Sequence, residues 1–371
     1  MLYKVIYITL KKEVEYLENL SLNVALLRRK VPNLTAAAKS VGLRPATVSN
    51  LCTGKIPVGR AEVRTIAALA ELAECSLDDL IIRGEKAEMI ETKIKALDLF
   101  APLAKGGTAG LVARPGMGQL VLLTEIFFRL KKEGYKTILL IPEGEYPELQ
   151  DILINTDFSA ATIEDAYQLL TDHSKNQDVL FAADRAHVVN GTIHDLQGRL
   201  DAGGPGSVTT FLLDLKGEAV DEEFPYGPLE TLWQFDADLA ARHLYPAVNP
   251  IYSASSVLEG AYLDQAHLTI QQKAQKLLRR YKELKALVQA GGIKRLPSSE
   301  TLGYQRGALL EAYLTQPFYT AEAFTGQKGQ SVSLQENLSD VRKILDGGAD
   351  AYSADELAYI GSLASHQEKE S

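Results

Sequence analysis

Residues 97–130, LDLFAPLAKGGTAGLVARPGMGQLVLLTEIFFRL, decide the fold of this chain. Their pattern predicts a short strand, a loop with two glycines and a long amphipathic helix. The phosphate-loop pattern G-x-x-x-x-G-K-[ST] falls on residues 113–120, where Gly118 is present but Gln119 and Leu120 replace the lysine and the hydroxyl. Because those two groups handle phosphate and Mg²⁺, we expect nucleotide binding at most. The alternative is an ordinary strand-turn-helix corner.

Two further motifs follow this loop along the chain. Residues 245–250 read YPAVNP, and residues 316–326 read QPFYTAEAFTG. Together with DLFAPLAKGG at residues 98–107, they resemble, in the same order, the catalytic beta subunit of the rotary ATP synthase. The resemblance covers residues 95–347, and the family's N-terminal β-barrel has no counterpart in this sequence.

The resemblance implies an α/β P-loop (RecA-like) domain over residues 97–255 and a C-terminal helical domain of beta-subunit type over residues 256–371. It also implies that aromatic rings cradle an adenine base, to which a flat ring is suited because it stacks without charge. The alternative for these rings is ordinary packing of a helical domain. The expected ligand is ATP or ADP, weakly bound, without a metal. The predicted nucleotide-binding residues are Gly116, Gly118, Gln119, Tyr245, Phe318 and Phe324.

Two acidic residues follow predicted buried strands. Glu143 comes after the strand at residues 136–142 and falls where the resemblance places the water-activating glutamate. Asp184 ends the strand at residues 178–183, at the position of the Mg²⁺-organising aspartate. Such strand ends are where open α/β sheets place ligands. The family's next arginine is Gly144 here, so both acids are interpreted as vestigial and we predict no ATP hydrolysis; the alternative is two surface acids.

A basic segment precedes the loop. Residues 22–61 contain seven Lys and Arg residues and no Asp or Glu. Because the whole chain carries −9, the remainder carries −9 − 7 = −16. A positive segment on an acidic protein is typical of a polyanion-binding site.

The same segment has helical punctuation. Asn33 or Thr35 can cap a helix over residues 36–41, Gly42 suits a left-handed turn, and Pro45 opens a second helix. Further helices are predicted over residues 63–73 and 77–82. The order of these elements in ATVSNLCTGKIPVGRAEVRTIAALAELAECSLDDLI, residues 46–81, resembles a Cro/repressor-type helix-turn-helix.

The resemblance implies an all-α helix-turn-helix domain over residues 22–83, whose second helix enters the major groove of duplex DNA. The predicted base readers are Arg44, Thr47, Ser49 and Asn50, and the predicted phosphate contacts are Lys39, Lys55 and Arg60. The alternative is a protein-protein module or a relic with solvated charges. Residues 1–21 are an extension with a strand at 3–10, and residues 84–96 are predicted to be a mixed-charge linker helix. The fold class is therefore multidomain.

Composition limits the other possibilities. No apolar run reaches the roughly 20 residues of a membrane span, and Met1–Leu20 is too acidic for a signal peptide, so we expect a cytoplasmic protein with no membrane partner. Cys52 and Cys75 have no metal-type spacing and are expected to be free thiols. Arg199 is a candidate phosphate-sensing arginine whose assignment stays open, and the tail after Ser365 is expected to fray.

The sequence as a whole predicts a DNA-binding transcriptional regulator or DNA-associated factor with a catalytically impaired, nucleotide-binding ATP-synthase-beta-like domain. The expected partners are duplex DNA, further copies of this chain in a homo-oligomer and, on the resemblance, an ATP-synthase-like partner subunit. The main alternative is an ATPase-like subunit of a ring that uses the helix-turn-helix for protein contacts. A remnant without a ligand is the third interpretation.

Overall fold

The computed structural model describes residues 20–31, 34–52, 56, 58–83, 88–144, 146–203, 207–221, 226, 229–259, 265–292 and 296–365. These residues form two compact units, one within residues 1–88 together with 256–264, the other comprising 89–255 and 265–371. The predictions for the strand at 3–10, the Asn33 cap and the tail lie outside the described residues.

The first unit is a small helical bundle closed by a two-stranded sheet. Strand β1 (Leu20–Leu22) pairs antiparallel with β2 (Ile81–Arg83). Between them lie α1 (Val24–Lys30), α2 (Leu34–Ser40), α3 (Pro45–Cys52), a 3-10 turn (Val58–Arg60), α4 (Val63–Leu72) and α5 (Leu77–Leu80). Apolar side chains at helical spacing, including Leu27, Val48, Leu51, Leu69 and Leu80, form its core.

The prediction of an all-α domain over residues 22–83 is wrong at both ends. Helix α5 begins with a capping box between Ser76 and Asp79 and ends at Leu80, so the helix predicted over residues 77–82 is too long. Ile81 has extended backbone angles, φ −107° and ψ 111°. β-Branched side chains favour the extended conformation, and pairing with β1 satisfies the backbone of residues 81–83.

The second unit begins with two short paired strands that are joined by a helix. Strand β3 (Met89–Ile90) pairs antiparallel with β4 (Leu103–Ala104), and α6 (Lys95–Phe100) lies between them in sequence. Of the linker helix predicted over residues 84–96, residues 84–87 lie outside the described residues, and the prediction is wrong over residues 88–94, which hold β3 and no helix. Ile90, Ile94 and Lys95 are buried, because this stretch belongs to the core of the unit and does not bridge solvent.

A seven-stranded, mostly parallel sheet forms the centre of the second unit. Its strands are β5 (Thr108–Val112), β6 (Lys136–Leu140), β7 (Phe158–Ala160), β8 (Val179–Asp184), β9 (Val208–Leu213), β10 (Thr231–Gln234) and β11 (Ala254–Ser255). Their order across the sheet is β11-β10-β5-β9-β8-β6-β7, and only the β10–β11 pair is antiparallel. Apolar runs such as VTTFLL in β9 suit this arrangement, because both faces of a parallel sheet are covered by helices.

Helices complete this unit and confirm the predicted mixture of α/β and helical structure. The helices that alternate with the strands are α7 (Gln119–Lys132), α8 (Leu149–Asn155), α9 (Ile163–Ser174), α10 (Ala186–Val189), α11 (Thr192–Gly203) and α12 (Ala237–Ala241). A helical region follows with α13 (Gln265–Gly291), α14 (Ser298–Tyr313), α15 (Glu322–Thr325), α16 (Leu334–Asp346) and α17 (Ala354–Leu357). Within the described ranges, no helix is both long and apolar enough to cross a membrane.

Candidate functional site

The loop between β5 and α7 turns at two glycines immediately before the helix begins. Gly116 and Gly118 have φ values of +78° and +88°, which glycine adopts without a steric penalty. Gly118 is the N-cap of α7. The amides of the first turn of a helix have no partner inside the helix and carry partial positive charge, so they can receive an anionic group.

The side chain of Gln119 points into the protein. It is 5% exposed, and its Nε2 donates a hydrogen bond to the carbonyl oxygen of Asp214 over 2.7 Å. Its Oε1 is buried without a hydrogen-bond partner among the described residues. Gln119 therefore ties the start of α7 to the end of β9, and its backbone amide is the part that remains for a ligand.

A second loop, residues 214–219, lies against the glycine loop. The carboxylate of Asp214 accepts hydrogen bonds from the backbone amides of Gly217, Glu218 and Ala219 over 2.9, 3.1 and 2.6 Å. Gly217 has φ +75°, and a Cβ atom there would lie 2.6 Å from Cδ of Pro115. The close approach of the two loops therefore requires glycine at this position.

The three predicted aromatic residues occupy three different environments. Tyr245 is half-buried, and its Cε1 atom would lie 3.7 Å from a Cβ atom built on Gly118, so its ring faces the loop. Phe318 is 7% exposed and belongs to the apolar core between the sheet and α7. Phe324 is 83% exposed on α15. The structure thus brings one of the three rings to the glycine loop and buries another.

The two predicted acids follow neighbouring parallel strands. Glu143 lies exposed beyond β6, and Asp184 ends β8, which pairs with β6. The Oδ1 atom of Asp184 accepts a hydrogen bond from the amide of Ala186 over 2.9 Å. Both acids therefore lie at the same edge of the sheet as the glycine loop, where ligands of such sheets bind.

Tyr146 and Lys216 also lie at this edge of the sheet. Sequence reasoning did not predict either residue as part of the site. Burial and the Asp184 carboxylate raise the pKa of the Tyr146 hydroxyl, and the charge of Lys216 lowers it. The Tyr146 ring would lie 3.4 Å from a Cβ atom on Gly144. Gly144 was the available signal in the sequence, because a glycine there leaves room for the tyrosine ring beside it.

Arg199 is held against α9. Its guanidinium forms two hydrogen bonds of 2.9 Å to the carboxylate of Glu164 and lies 3.7 Å from the centre of the Tyr167 ring. These contacts hold the guanidinium of Arg199 on the surface of the protein, and they explain its position without a bound phosphate.

A buried ion pair joins α7 to the segment that carries the last two aromatic residues. Glu125, fully buried, accepts hydrogen bonds from the backbone amides of Tyr319 and Thr320 over 3.1 and 2.9 Å. Arg129 donates to Glu125 over 2.7 Å and to the carbonyl oxygen of Gln330 over 2.7 Å. The two residues are only four positions apart, but the groups that bury the pair lie about 200 residues away along the chain, so sequence reasoning did not find its role.

Lys39 and Arg44 lie on either side of the turn between α2 and α3, and Thr47, Ser49 and Asn50 lie on α3. The amide of Gly42, which has φ +74°, donates to the carbonyl oxygen of Lys39, and that of Leu43 donates to Ala38, which closes α2. Helix α3 buries Val48 and Leu51, so its opposite face is presented outward.

The side chains on and near that outward face differ in exposure. Ser49 is exposed, whereas Thr47 and Asn50 are half-buried. The basic residues Lys39, Arg44 and Arg60 are exposed. The predicted phosphate contact Lys55 lies outside the described residues. The three described cations of the predicted set are therefore exposed to solvent.

We compared the chain with models of known protein families, and none matches. The two family resemblances rest on the motifs quoted above, and the functions they imply remain proposals.

Proposed function

We propose that this protein is a DNA-binding regulator that reads duplex DNA with α3. The observation that carries the proposal is the outward face of α3, which lies in an acid-free segment whose cations Lys39, Arg44 and Arg60 are exposed. In a helix-turn-helix of this kind, the second helix contacts base edges and flanking cations contact phosphates. Arg44 and Ser49 are the best-placed readers, and Lys39 and Arg60 contact the backbone.

The test is salt-dependent binding of the full chain to a pool of duplex DNA. Affinity should fall steeply between ~50 and ~200 mM salt, because each neutralised phosphate releases counterions. The double variant Lys39→Ala/Arg60→Ala should bind all sequences more weakly and with a salt slope smaller by about 2. The matched control, Lys273→Ala/Lys276→Ala, removes two exposed lysines from α13. Salt-independent binding, or none, contradicts the proposal.

We propose further that the glycine loop holds an adenine nucleotide weakly and does not hydrolyse it. Tyr245 beside Gly118 supplies a ring for the base, and the amides after Gly116 receive phosphate oxygens. The cationic anchor of a working phosphate loop is replaced by Gln119, whose side chain is engaged with Asp214. ATP and ADP should therefore bind alike, with little dependence on Mg²⁺.

Calorimetry with ATP and ADP, each with and without Mg²⁺, tests this second proposal. Completing the motif with Gln119→Lys/Leu120→Thr should strengthen nucleotide binding without restoring turnover, because Gly144 still lacks a cationic side chain. A strong preference for Mg-ATP in the unaltered protein contradicts the weak cradle. Steady phosphate release that Glu143→Gln abolishes would show an active ATPase.

A further inference from the structure

Tyr359 has a left-handed backbone conformation, and its hydroxyl forms hydrogen bonds with two neighbouring residues. Its φ is +55°, in the left-handed region that bulky residues rarely adopt. Its hydroxyl accepts a hydrogen bond from the amide of Tyr245 over 2.9 Å and donates one to the carbonyl oxygen of His243. Burial raises the pKa of this hydroxyl, so it keeps its proton at neutral pH and can make both bonds.

The backbone of Tyr245 is held from both sides. Its amide donates to Tyr359, and its carbonyl oxygen accepts a hydrogen bond from the amide of Gln316 over 2.9 Å. The amide of Tyr359 in turn donates to Oγ1 of Thr315 over 2.7 Å. Three distant segments therefore meet at the residue whose ring faces Gly118.

The segment after Tyr359 is itself fixed by buried groups. Nζ of the fully buried Lys95 donates to the carbonyl oxygens of Ile360 and Gly361 over 2.9 and 3.4 Å. The amide of Leu363 donates to the buried carboxylate of Asp340 over 2.8 Å. These contacts hold the strained backbone of Tyr359 in place, as the persistence of such a conformation requires.

We propose that Tyr359 is a positioning residue for the loop site, which sets the ring of Tyr245 against Gly118 through the amide of Tyr245. The inference rests on the proposed nucleotide function, since the ring it positions is the wall on which the base would stack. The last segment of the helical region thus determines the geometry of the base end of the site. The phosphate end is supplied by the loops at residues 113–118 and 214–219, and the Tyr245 ring meets it at Gly118. Among the described residues, the hydrogen bonds of Tyr359 go to His243, Tyr245 and Thr315.

The variant Tyr359→Phe removes the shared hydroxyl and keeps the ring. In the full chain, amide hydrogen exchange of a peptide covering residues 243–250 should become about threefold to tenfold faster, as expected for one hydrogen bond lost. Exchange in α7 and β8 should not change. The matched control is Tyr304→Phe, which removes a hydroxyl from α14, where the ring packs on Tyr281 at 5.3 Å between centroids.

Ligand binding separates positioning from general support of the fold. Adenosine should bind Tyr359→Phe about threefold to tenfold more weakly than the unaltered chain, whereas inorganic pyrophosphate should bind both equally. Equal loss for both probes, or unchanged exchange at residues 243–250, overturns the inference. If neither probe binds the unaltered chain, the nucleotide proposal fails, and the exchange experiment still decides whether Tyr359 positions Tyr245.

Discussion

The helix pair α2–α3 and the glycine loop before α7 use their polar side chains in opposite ways. Around α3, Lys39, Arg44 and Arg60 extend into solvent. At the loop, Gln119 is buried against the Asp214 carbonyl. Near the same sheet, Arg199 is bound to Glu164. A polar group that is already hydrogen-bonded within the fold has to exchange or add a bond to recognise a partner, which lowers the net gain.

This comparison separates side chains that are bonded within the fold from side chains that are exposed to a partner. The glycine loop has two left-handed glycines ahead of a helix, while the side chain of Gln119 is hydrogen-bonded within the fold. The helix pair keeps its cations in solvent, where burial of α3 needs only Val48 and Leu51. Each prediction below tests whether a polar group belongs to the architecture or to a partner.

The largest effect is expected for the buried pair between α7 and the aromatic segment. Arg129→Met should lower the free energy of unfolding by about 3–5 kcal/mol, because it leaves the carboxylate of Glu125 buried without its cation. Denaturant titration of the full chain measures the change. The control is Arg199→Met, whose exposed pair with Glu164 should contribute less than about 1 kcal/mol. Equal effects of the two variants would contradict the assignment of Arg129 to the architecture.

The next effect concerns Lys95 and depends on pH. Burial lowers the pKa of Lys95 from 10.5 to about 7. Between these values the unfolded chain binds a proton that the folded chain does not, so the contribution of Lys95 to stability rises with pH, and its destabilisation is complete below pH 7. The unfolding free energy of the unaltered chain minus that of Lys95→Met should therefore increase by a few kcal/mol from about pH 7 to about pH 10. The exposed-site variant Lys276→Met should show no such slope.

A smaller effect is expected at the proposed DNA-reading face of α3. Arg44→Ala and Ser49→Ala should each weaken binding to a selected sequence by roughly 1–3 kcal/mol and relax preference at one base pair, as for a lost base contact. Selection of bound duplexes followed by sequencing measures the preference. Arg64→Ala is the control, because Arg64 pairs with Glu62 beyond the acid-free segment. Uniform weakening on all sequences would instead make Arg44 a phosphate contact.

Local patterns predicted much of the fold from the sequence. Glycine spacing and apolar periodicity predicted a glycine-bearing loop followed by a long helix, which the structure contains as the loop before α7, and the acids at the ends of β6 and β8 follow from buried strands. Pairing of β1 with β2 was missed because it joins residues 20 and 83, and no local pattern reports such a contact.

Side-chain environments were less predictable than elements. Lys95 was taken as part of a charged linker, yet it is fully buried because Ile360 and Gly361 supply carbonyl oxygens to its amine. The bond of Gln119 to Asp214 spans 95 residues. The exposure of the three aromatic residues Tyr245, Phe318 and Phe324 also depends on packing against distant parts of the chain, which spacing in the sequence does not encode.

The smallest effect on stability is expected for Phe324, the ring left in solvent. At 83% exposure it contributes little to the core, so Phe324→Ala should change the free energy of unfolding by less than about 0.5 kcal/mol. If the ring closes over a base, as its motif implies, the same variant should weaken adenosine binding by about 1–3 kcal/mol. Loss of binding with stability intact assigns Phe324 to a ligand. Unchanged adenosine binding would leave Tyr245 as the stacking ring and place Phe324 outside the site.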